Sequence, residues 1–302
     1  MRVRRTLFWV NGPDFANLDD VLKTNTDAIQ FDLEQHCPGP DKLRARENLC
    51  RILKERDLGT KEKIVRINHP DTQMGIDDLD AILPCMPDTI RIPKAEHVET
   101  ILKVDKIITE FEEKNKLPRN TIEILILLET PLGIMNGYAL DSCCQRVTGV
   151  GLGAGDLTTA MHVKRSTRKG NIQLVYAKQK MVLDAKAAGI GVTDTVVGTN
   201  DPAELARIKD FVREDTEVDK EMGFTGRSVG TLDHVDMIND IFAPSFQEVE
   251  IARTIVTAYE KSKEAREADA YLNGKWIDPD DYVSSKYILE LAEAISRKVK
   301  VC

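Results

Sequence analysis

The sequence contains few cysteines, and their spacing is not that of a metal site. Six of its 302 residues are cysteine. No two of them form a C-x-x-C pair, and no group of cysteines and histidines has the spacing of zinc ligands. We therefore expect buried or incidental thiols in a cytoplasmic protein, because such thiols persist in a reducing compartment.

Long apolar runs are also missing. The longest, Ile124–Leu128, is far short of the roughly 20 residues that span a bilayer. Near the amino terminus, Leu7–Val10 is followed at once by Asn11, Gly12 and Pro13, so this segment is too short for the core of a secretory signal. We therefore predict neither a membrane-spanning helix nor a membrane partner.

An excess of positive charge is absent as well. The chain has 42 Lys and Arg residues against 50 Asp and Glu residues, which gives a formal charge of −8. Only Arg2, Arg4 and Arg5 form a dense basic cluster, and this balance argues against a nucleic-acid partner. Hydrophobic residues at 42% and charged residues at 30% are typical of a folded globular chain rather than a disordered one.

Eight short apolar segments alternate with amphipathic stretches along most of the chain. Each segment is rich in Val, Ile, Leu or Phe and is bounded by Gly, Pro, Asn or Asp, the pattern of a buried strand. The predicted strands are Thr6–Val10, Ala28–Leu33, Lys63–Asn68, Thr89–Pro93, Ile122–Glu129, Val147–Gly153, Gly191–Val197 and Gly226–Thr231. Eight strands, each followed by a helical segment, predict an α/β fold of the (β/α)8 TIM-barrel type.

A doubly wound open sheet is the alternative fold. It requires a glycine-rich phosphate turn after the first strand, and Asn11–Asp14 is not such a turn. The glycines of Gly151-x-Gly153-x-Gly155 lack the full dinucleotide spacing and come late in the chain. The barrel is therefore the better interpretation.

The residues after the eighth strand are expected to form a C-terminal helical extension. We place the barrel domain at residues 1–244 and the extension at 245–302. The extension is predicted to contain a long charged helix over Gln247–Ala268, a turn-rich loop over Tyr271–Pro279 and a final helix from about Ser284. It would act as a lid over the barrel mouth or as an oligomer contact.

Charged and polar residues follow five consecutive predicted strands. In a TIM barrel the catalytic side chains lie where the strands end, so these residues are expected to converge on one mouth. They are Asp32 and Glu34 at the end of the second strand, Arg66 and Asn68 at the end of the third, Lys94 at the end of the fourth, Glu129 at the end of the fifth and Asp156 at the end of the sixth. A ring of structural salt bridges is the alternative interpretation.

The residue types at this mouth suit a small acid bound beside a hard metal ion. Glu129 and Asp156 can share one Mg²⁺ ion, which typically takes one or two carboxylates and keeps water or substrate oxygens at its other positions. The small residues Ala154 and Gly155 leave room for a ligand to approach the backbone. Arg66 offers a planar fork for a substrate carboxylate or a developing oxyanion.

Ten motifs in a fixed order carry a resemblance to a known family. They are RTLFWVNG at 5–12, FDLE at 31–34, VRIN at 65–68, IRIPKAE at 90–96, LLETPLGIMN at 127–136, GLGAGDL at 151–157, AKAAGI at 185–190, GFTGR at 223–227, FAPS at 242–245 and NGKWID at 273–278. With these motifs the sequence resembles the citrate lyase β chain and the malyl-CoA and citramalyl-CoA lyases of the HpcH/HpaI aldolase superfamily. The resemblance covers nearly the whole chain.

The resemblance implies a metal-dependent carbon–carbon lyase that assembles as a homotrimer or hexamer. Mg²⁺ would be held by Glu129 and Asp156, and Arg66 would bind the substrate. Asp32 and Glu34 match acidic residues near the metal and are further catalytic candidates.

Two more residues are assigned through the same resemblance, and two through the basic cluster at the amino terminus. Asp278 matches an aspartate of the C-terminal loop that reaches a neighbouring subunit's site and handles a proton. Lys94 matches a family lysine and is a substrate-binding candidate. Arg4 and Arg5 are candidates for contacts with the phosphates of coenzyme A or of a phosphopantetheine arm, the alternative being a solvated amino terminus.

Three departures from the family pattern indicate an altered substrate. Gln35 stands where the family has the second aspartate of FDLED. Ser228–Leu232 replaces the usual I-H-P or I-N-P turn, which bears on the acyl-carrier contacts. Trp9–Asn11 differs from the common start and is expected to reshape the entrance.

The implied reaction is retro-Claisen cleavage of a 3-hydroxyacyl thioester into an acetyl thioester and a 2-oxo acid, such as oxaloacetate, glyoxylate or pyruvate. Mg²⁺ would chelate the oxo-acid half, Arg66 would stabilise the oxygen that becomes the ketone, and Asp278 would exchange a proton with the acetyl group. One alternative is a free 2-oxo-acid aldolase. Another is a non-catalytic subunit that needs citrate lyase α and acyl-carrier chains.

Overall fold

Eight parallel strands close into a barrel in the computed structural model, which describes residues 2–37, 39–166, 171–197 and 205–299. The strands are β1 (Thr6–Val10), β2 (Ala28–Asp32), β3 (Glu62–Arg66), β4 (Thr89–Ile92), β5 (Glu123–Leu128), β6 (Val147–Leu152), β7 (Gly191–Asp194) and β8 (Gly226–Val229). Each pairs in parallel with the next, and β1 pairs with β8. The predicted TIM barrel and all eight of its strands are confirmed.

Helices connect the strands and continue beyond the last one. They are α1 (Leu18–Leu22), α2 (Lys42–Glu55), α3 (Gln73–Ile82), α4 (Val98–Lys114), α5 (Pro131–Met135), α6 (Gly137–Asp141), α7 (Ala154–Ala160), α8 (Val175–Ala188), α9 (Leu205–Met222), α10 (Val235–Phe242), α11 (Phe246–Glu264) and α12 (Pro279–Val299). Because helices cover the outside of the barrel, most strand positions are buried on both faces.

The amino end of the barrel interior is closed by ion pairs. The guanidinium of Arg4 lies 2.8 Å from Glu62 and 2.6 Å from Glu123, the first residues of β3 and β5. Arg5 bonds to Asp27 at 2.9 Å. Both guanidinium groups are thus engaged by carboxylates at the end of the barrel opposite the strand carboxyl ends. This placement does not favour the predicted contact of Arg4 and Arg5 with coenzyme A phosphates.

An apolar layer lies above these ion pairs. Leu7, Ala28, Ile64 and Leu125 form a buried cluster contributed by β1, β2, β3 and β5. Side chains alternate between the two faces of a strand. The next inward-pointing residue of each of these strands is therefore two positions further along and lies nearer the carboxyl end of the barrel. The apolar layer therefore separates the structural ion pairs from the polar groups at the mouth.

A second compact unit runs from Asp240 onward and includes the residues before Arg4, whereas the barrel unit is Arg4–Asn239. The sequence had placed this boundary at 244/245. Within the second unit α11 and α12 pack together, with the rings of Tyr259 and Tyr282 stacked at 4.2 Å. The predicted roles of this extension as a lid or an oligomer contact stay predictions.

Two details of this unit correct the sequence prediction. The predicted turn-rich loop contains an antiparallel hairpin of β9 (Tyr271–Leu272) and β10 (Lys275–Trp276). Its turn is Asn273–Gly274, where both residues have positive φ, as a tight hairpin requires. The last helix begins at Pro279 rather than near Ser284, because proline suits the first helical position and acidic residues fill the first turn.

Candidate active site

A buried ion pair between neighbouring strands forms the base of the mouth. Asp32 ends β2 and Arg66 ends β3, and the two residues are register partners. Arg66 donates from Nε at 2.8 Å and from Nη2 at 2.6 Å to the two oxygens of Asp32. The side chains are 3% and 0% exposed, so this is a forked pair in a water-poor place.

Further donors fix the carboxylate of Asp32. It accepts hydrogen bonds from the backbone N–H groups of Glu34 and His36, and the His36 Nδ1 atom lies 2.6 Å away. Burial alone would raise the pKa of Asp32, but the bonds from His36 and Arg66 outweigh it and hold the pKa well below its usual value. Asp32 is therefore ionised at neutral pH and holds Arg66 in one orientation.

Trp9 supports the same arginine from β1. The Arg66 guanidinium carbon lies 4.6 Å from the centre of the Trp9 ring, a cation–π contact. In the sequence Trp9 stands out only as a departure from the family start. Its inward position at the carboxyl end of the first strand was the available signal, since alternate residues of a strand share a face.

Lys94 connects three carboxylates at the rim of the mouth. Its backbone N–H donates to Oε1 of Glu129 at 2.9 Å. Its Nζ atom lies 3.2 Å from Asp156 and 3.5 Å from Glu34. The backbone of Lys94 has a φ of +47°, a left-handed conformation that turns the chain back toward β5. The structure thus brings Glu34, Lys94, Glu129 and Asp156 into one group.

The electrostatics of this group fit a divalent cation. Glu129 is 3% exposed. Burial raises its pKa to about 7, against the favourable charge of Arg66, and the charges of Asp156 and Glu34 act in the same direction as burial. The Oε2 atom of Glu34 is buried and accepts no hydrogen bond, and Nη1 of Arg66 lies 3.4 Å from it. Carboxylates that raise one another's pKa are stabilised by a hard divalent cation, so Glu129 and Asp156, with the charge of Glu34 acting on the same site, suit Mg²⁺.

Small residues before Asp156 keep the approach open. Ala154 is buried, and its backbone N–H lies 3.3 Å from the Thr195 hydroxyl. Gly155 is exposed, and a Cβ atom there would have no neighbour within 4 Å. Asp156 lies in the first turn of α7, where the helix dipole favours a negative charge.

Gln35 contacts the group as a neutral donor. Its Nε2 atom lies 3.2 Å from Oδ1 of Asp156. At this position the family pattern has a carboxylate, which would repel Asp156 rather than bond to it. The substitution therefore reduces the negative charge at the rim and orients the carboxylate of Asp156.

Gly153 is required by the position of Glu129. A Cβ atom at residue 153 would lie 2.3 Å from the Glu129 Cβ and 2.5 Å from its Oε2. We expect Gly153→Ala to displace the carboxylate and to lower kcat/KM by about 10²-fold, as misplacement of a reacting group by about 1 Å does. Titration with Mg²⁺ and initial rates measure the effect. Gly39→Ala is the matched control, because a Cβ there meets nothing within 4 Å. Equal activity of the two variants would contradict this account.

Asp278 lies in the second compact unit. Its side chain accepts a hydrogen bond from the backbone N–H of Asp280 at 2.9 Å, at the start of α12. This contact is that of a helix cap. The predicted proton-transfer role of Asp278 stays a prediction.

Another acidic cluster of the barrel is already paired with buried cations. Among the described residues, Asp194, Asp215 and Asp219 form a group of three acidic side chains whose oxygens lie within 4.8 Å of one another, as in a metal site. The Nζ atom of Lys178 lies 2.9 to 3.3 Å from all three, and Arg227 also pairs with all three. We therefore assign this cluster to the structure of the barrel and not to a metal.

The chain is similar to known proteins over most of its length. Residues 5–231 match the family model described as HpcH/HpaI aldolase/citrate lyase. The chain is 31% identical to the citrate lyase subunit beta of Leuconostoc mesenteroides subsp. cremoris, covering 97% of this chain and 94% of that protein. It is 27% identical to a (3S)-malyl-CoA thioesterase of Cereibacter sphaeroides, over 97% and 95% of the two chains.

Solved structures share the fold at lower identity. A citrate lyase from Burkholderia xenovorans superposes with a TM-score of 0.79 at 18% identity, covering 98% of this chain and 93% of that one. The protein CitE of Mycobacterium tuberculosis, solved with magnesium, acetoacetate and coenzyme A, gives 0.65 at 19% identity, over 97% and 100%. None of the helices in the described residues has the length and apolar character needed to cross a membrane.

Proposed function

The chain belongs to the HpcH/HpaI aldolase/citrate lyase family and is a carbon–carbon lyase, and from this premise we propose that it cleaves a 3-hydroxyacyl thioester with the help of Mg²⁺. The products would be an acetyl thioester and a 2-oxo acid. The observation that carries this proposal is the group of Glu34, Glu129 and Asp156 around Lys94, beside the fixed guanidinium of Arg66.

Glu129 and Asp156 would hold the metal. When bound there, Mg²⁺ supplies Lewis acidity to the oxygens of the oxo-acid half. CitE, which is similar in fold, was solved with magnesium and acetoacetate or oxaloacetate, and this supports the assignment. The pKa of Glu129, which burial and the charges of Asp156 and Glu34 raise, supports it from within this chain.

Arg66 would bind the oxygen that becomes the ketone. Asp32 engages its Nε and Nη2 atoms, so Nη1, which lies 3.4 Å from Glu34, is the atom directed toward the carboxylate group. A guanidinium held on one side by Asp32 and on its face by Trp9 needs little rearrangement to stabilise developing negative charge. Lys94 would contact the substrate carboxylate from the rim, where its side chain is 43% exposed.

The acyl carrier and the assembly belong to the same proposal. The citrate lyase and malyl-CoA thioesterase relatives support a thioester of coenzyme A or of an acyl-carrier protein as the substrate. We propose a homotrimer or hexamer, with Asp278 as the proton-transfer residue. Citrate lyase α and acyl-carrier subunits are further proposed partners.

A panel of thioesters tests the proposed activity. The purified chain is incubated with citryl-, malyl- and citramalyl-CoA and with the free hydroxy acids, with and without Mg²⁺, and the products are identified by mass spectrometry. We expect cleavage of at least one thioester that is lost on addition of EDTA and restored by Mg²⁺. Cleavage of free acids alone would favour a 2-oxo-acid aldolase. Hydrolysis to a free hydroxy acid and thiol would contradict carbon–carbon cleavage.

The same panel distinguishes an inactive subunit. A chain that binds Mg²⁺ and oxaloacetate but cleaves none of the thioesters would be a subunit that needs its partners. Multi-angle light scattering of the same sample measures the oligomeric state, and a monomer would contradict the proposed trimer or hexamer.

A further inference from the structure

A second arginine lies inside the barrel at the level of the active-site pair. Arg91 is on β4, and the strand register aligns Asp32 with Arg66 and Arg66 with Arg91. Its side chain is 1% exposed. Arg91 has no role in the proposed carbon–carbon cleavage as assigned to Glu129, Asp156, Arg66 and Lys94.

Arg91 has few partners for a buried charge. Its Nη1 atom donates to Oε1 of Gln30, and its guanidinium lies 5.4 Å from the centre of the Trp9 ring. Its Nε atom has no hydrogen-bond partner. Within the described part of the chain, no carboxylate lies at ion-pair distance from Arg91. It shares the Trp9 ring with Arg66, a group of the same charge.

Other buried arginines of the barrel are paired. Arg4 contacts Glu62 and Glu123, and Arg146 lies 2.7 Å from Asp105 and 2.8 Å from Glu112. A buried cation without such a partner destabilises a fold, because water is removed and no opposite charge replaces it. Arg91 therefore differs in kind from the arginines that support the structure.

The barrel nevertheless keeps space for this side chain. A Cβ atom at residue 151 would lie 2.1 Å from Nη2 of Arg91, so Gly151 on β6 leaves the room that the guanidinium fills. Burial and the like charge of Arg66 lower the pKa of Arg91 to about 9, against the favourable charges of the more distant carboxylates Glu129 and Asp32, and the group still carries its charge at neutral pH. An apolar residue at position 91 would avoid the cost of burying a charge.

The net charge of the mouth indicates what the charge of Arg91 does there. The four carboxylates there are Asp32, Glu34, Glu129 and Asp156. In the part of the chain that the structure describes, they pair with the two cations Arg66 and Lys94, so these six groups carry two surplus negative charges when all are ionised. A divalent ion would bring it only to neutrality. Arg91 adds the charge that makes the loaded mouth positive toward an anionic ligand.

We propose that Arg91 is a positioning residue whose buried charge favours a substrate with two carboxylates on its acid half. The proposal rests on the proposed function for the location of the site. The attraction between Arg91 and a ligand scales with the charge of the ligand. A dianion therefore gains about twice the free energy that a monoanion gains, and the fold-change in affinity is about squared.

Malate and lactate are the matched probes, because malate carries one more carboxylate on the same hydroxy-acid unit. Their binding to the full chain is measured by calorimetry, with and without Mg²⁺, together with the melting temperature. We expect Arg91→Met to weaken malate binding by about 10-fold and lactate binding by about 3-fold. We expect its melting temperature to rise by about 4 °C, since an unpaired buried charge is removed. Arg91→Lys keeps the charge and should retain most of the malate affinity.

Arg146→Met is the control for a buried arginine that supports the fold, and its melting temperature should fall. Arg91→Gln provides a second uncharged variant. If both uncharged variants are less stable than Arg91→Lys, or lose malate and lactate affinity equally, Arg91 serves the fold and the proposal is wrong. These readouts do not use thioester cleavage, so failure of the proposed function in the thioester panel would be seen separately.

Discussion

Replacement of Glu129 by glutamine is expected to lower kcat/KM for the thioester by about 10³-fold. The amide keeps the size of the side chain but removes the negative charge that would hold Mg²⁺. Loss of a metal-based electrostatic contribution of several kcal/mol corresponds to this change in rate. Asp156→Asn is expected to act in the same direction. Initial rates and Mg²⁺ titrations of the purified variants measure both effects.

Glu113→Gln is the matched control for these two variants. Glu113 is an exposed carboxylate of α4, and its conversion to an amide changes the net charge equally without touching the mouth. Its kcat/KM and Mg²⁺ dependence should equal those of the parent chain. Full activity of either Glu129→Gln or Asp156→Asn would remove the proposed metal site.

Replacement of Asp32 by asparagine is expected to cost about 3–5 kcal/mol of the free energy of unfolding, the cost of leaving one charge of a buried pair without its partner. Arg66 would lose the two acceptors that engage its Nε and Nη2 atoms. An asparagine NH₂ group would instead face those donors. Urea denaturation at neutral pH measures the loss, and initial rates should fall because Arg66 is no longer held.

The difference in unfolding free energy between the parent chain and Asp32→Asn is expected to depend on pH. The pKa of Asp32 in the folded chain is held below its usual value, so the pair stabilises the fold at neutral pH. That contribution is lost as the pH falls below about 4 and through the lower pKa of the folded state. The stability difference between the parent chain and Asp32→Asn should therefore shrink in acid.

Asp20→Asn is the control for the loss of an aspartate. Asp20 bonds to Lys23 at the surface, where both side chains are well exposed. Exposed pairs contribute little, so this variant should unfold like the parent chain at each pH. A similar loss in Asp20→Asn and Asp32→Asn, or a difference that does not shrink in acid, would contradict the assigned role of Asp32.

Local patterns explain why the fold and the position of the site could be predicted. Strand β5 is apolar from Ile124 to Leu128 and is followed by Glu129, and both its burial and its end follow from residues next to one another in the chain. Parallel strands of a barrel all end at one face, so the polar residue after each strand had to reach the same mouth. The group of Glu34, Lys94, Glu129 and Asp156 follows from this rule.

Pairing between distant residues explains what could not be predicted. The basic cluster at the amino terminus suggested phosphate contacts for Arg4 and Arg5, yet Arg4 pairs with residues 58 and 119 positions away. Helix α12 begins at Pro279 and is capped by Asp278, and the predicted loop included both residues. Strand alternation places Trp9 at an inward position, but no local pattern shows that Arg66 and Arg91 both contact its ring.

The sequence alone determined the order of strands and helices, the strand ends and the kinds of group that follow them, because hydrophobic periodicity and turn residues act over a few positions. Only the tertiary structure decided which charges are paired. Asp32 neutralises Arg66, and Lys94 contacts three carboxylates. Arg91, by contrast, has no carboxylate at ion-pair distance among the described residues. The pairing of a charge depends on the distance between atoms brought together by barrel closure, and no local pattern contains that distance.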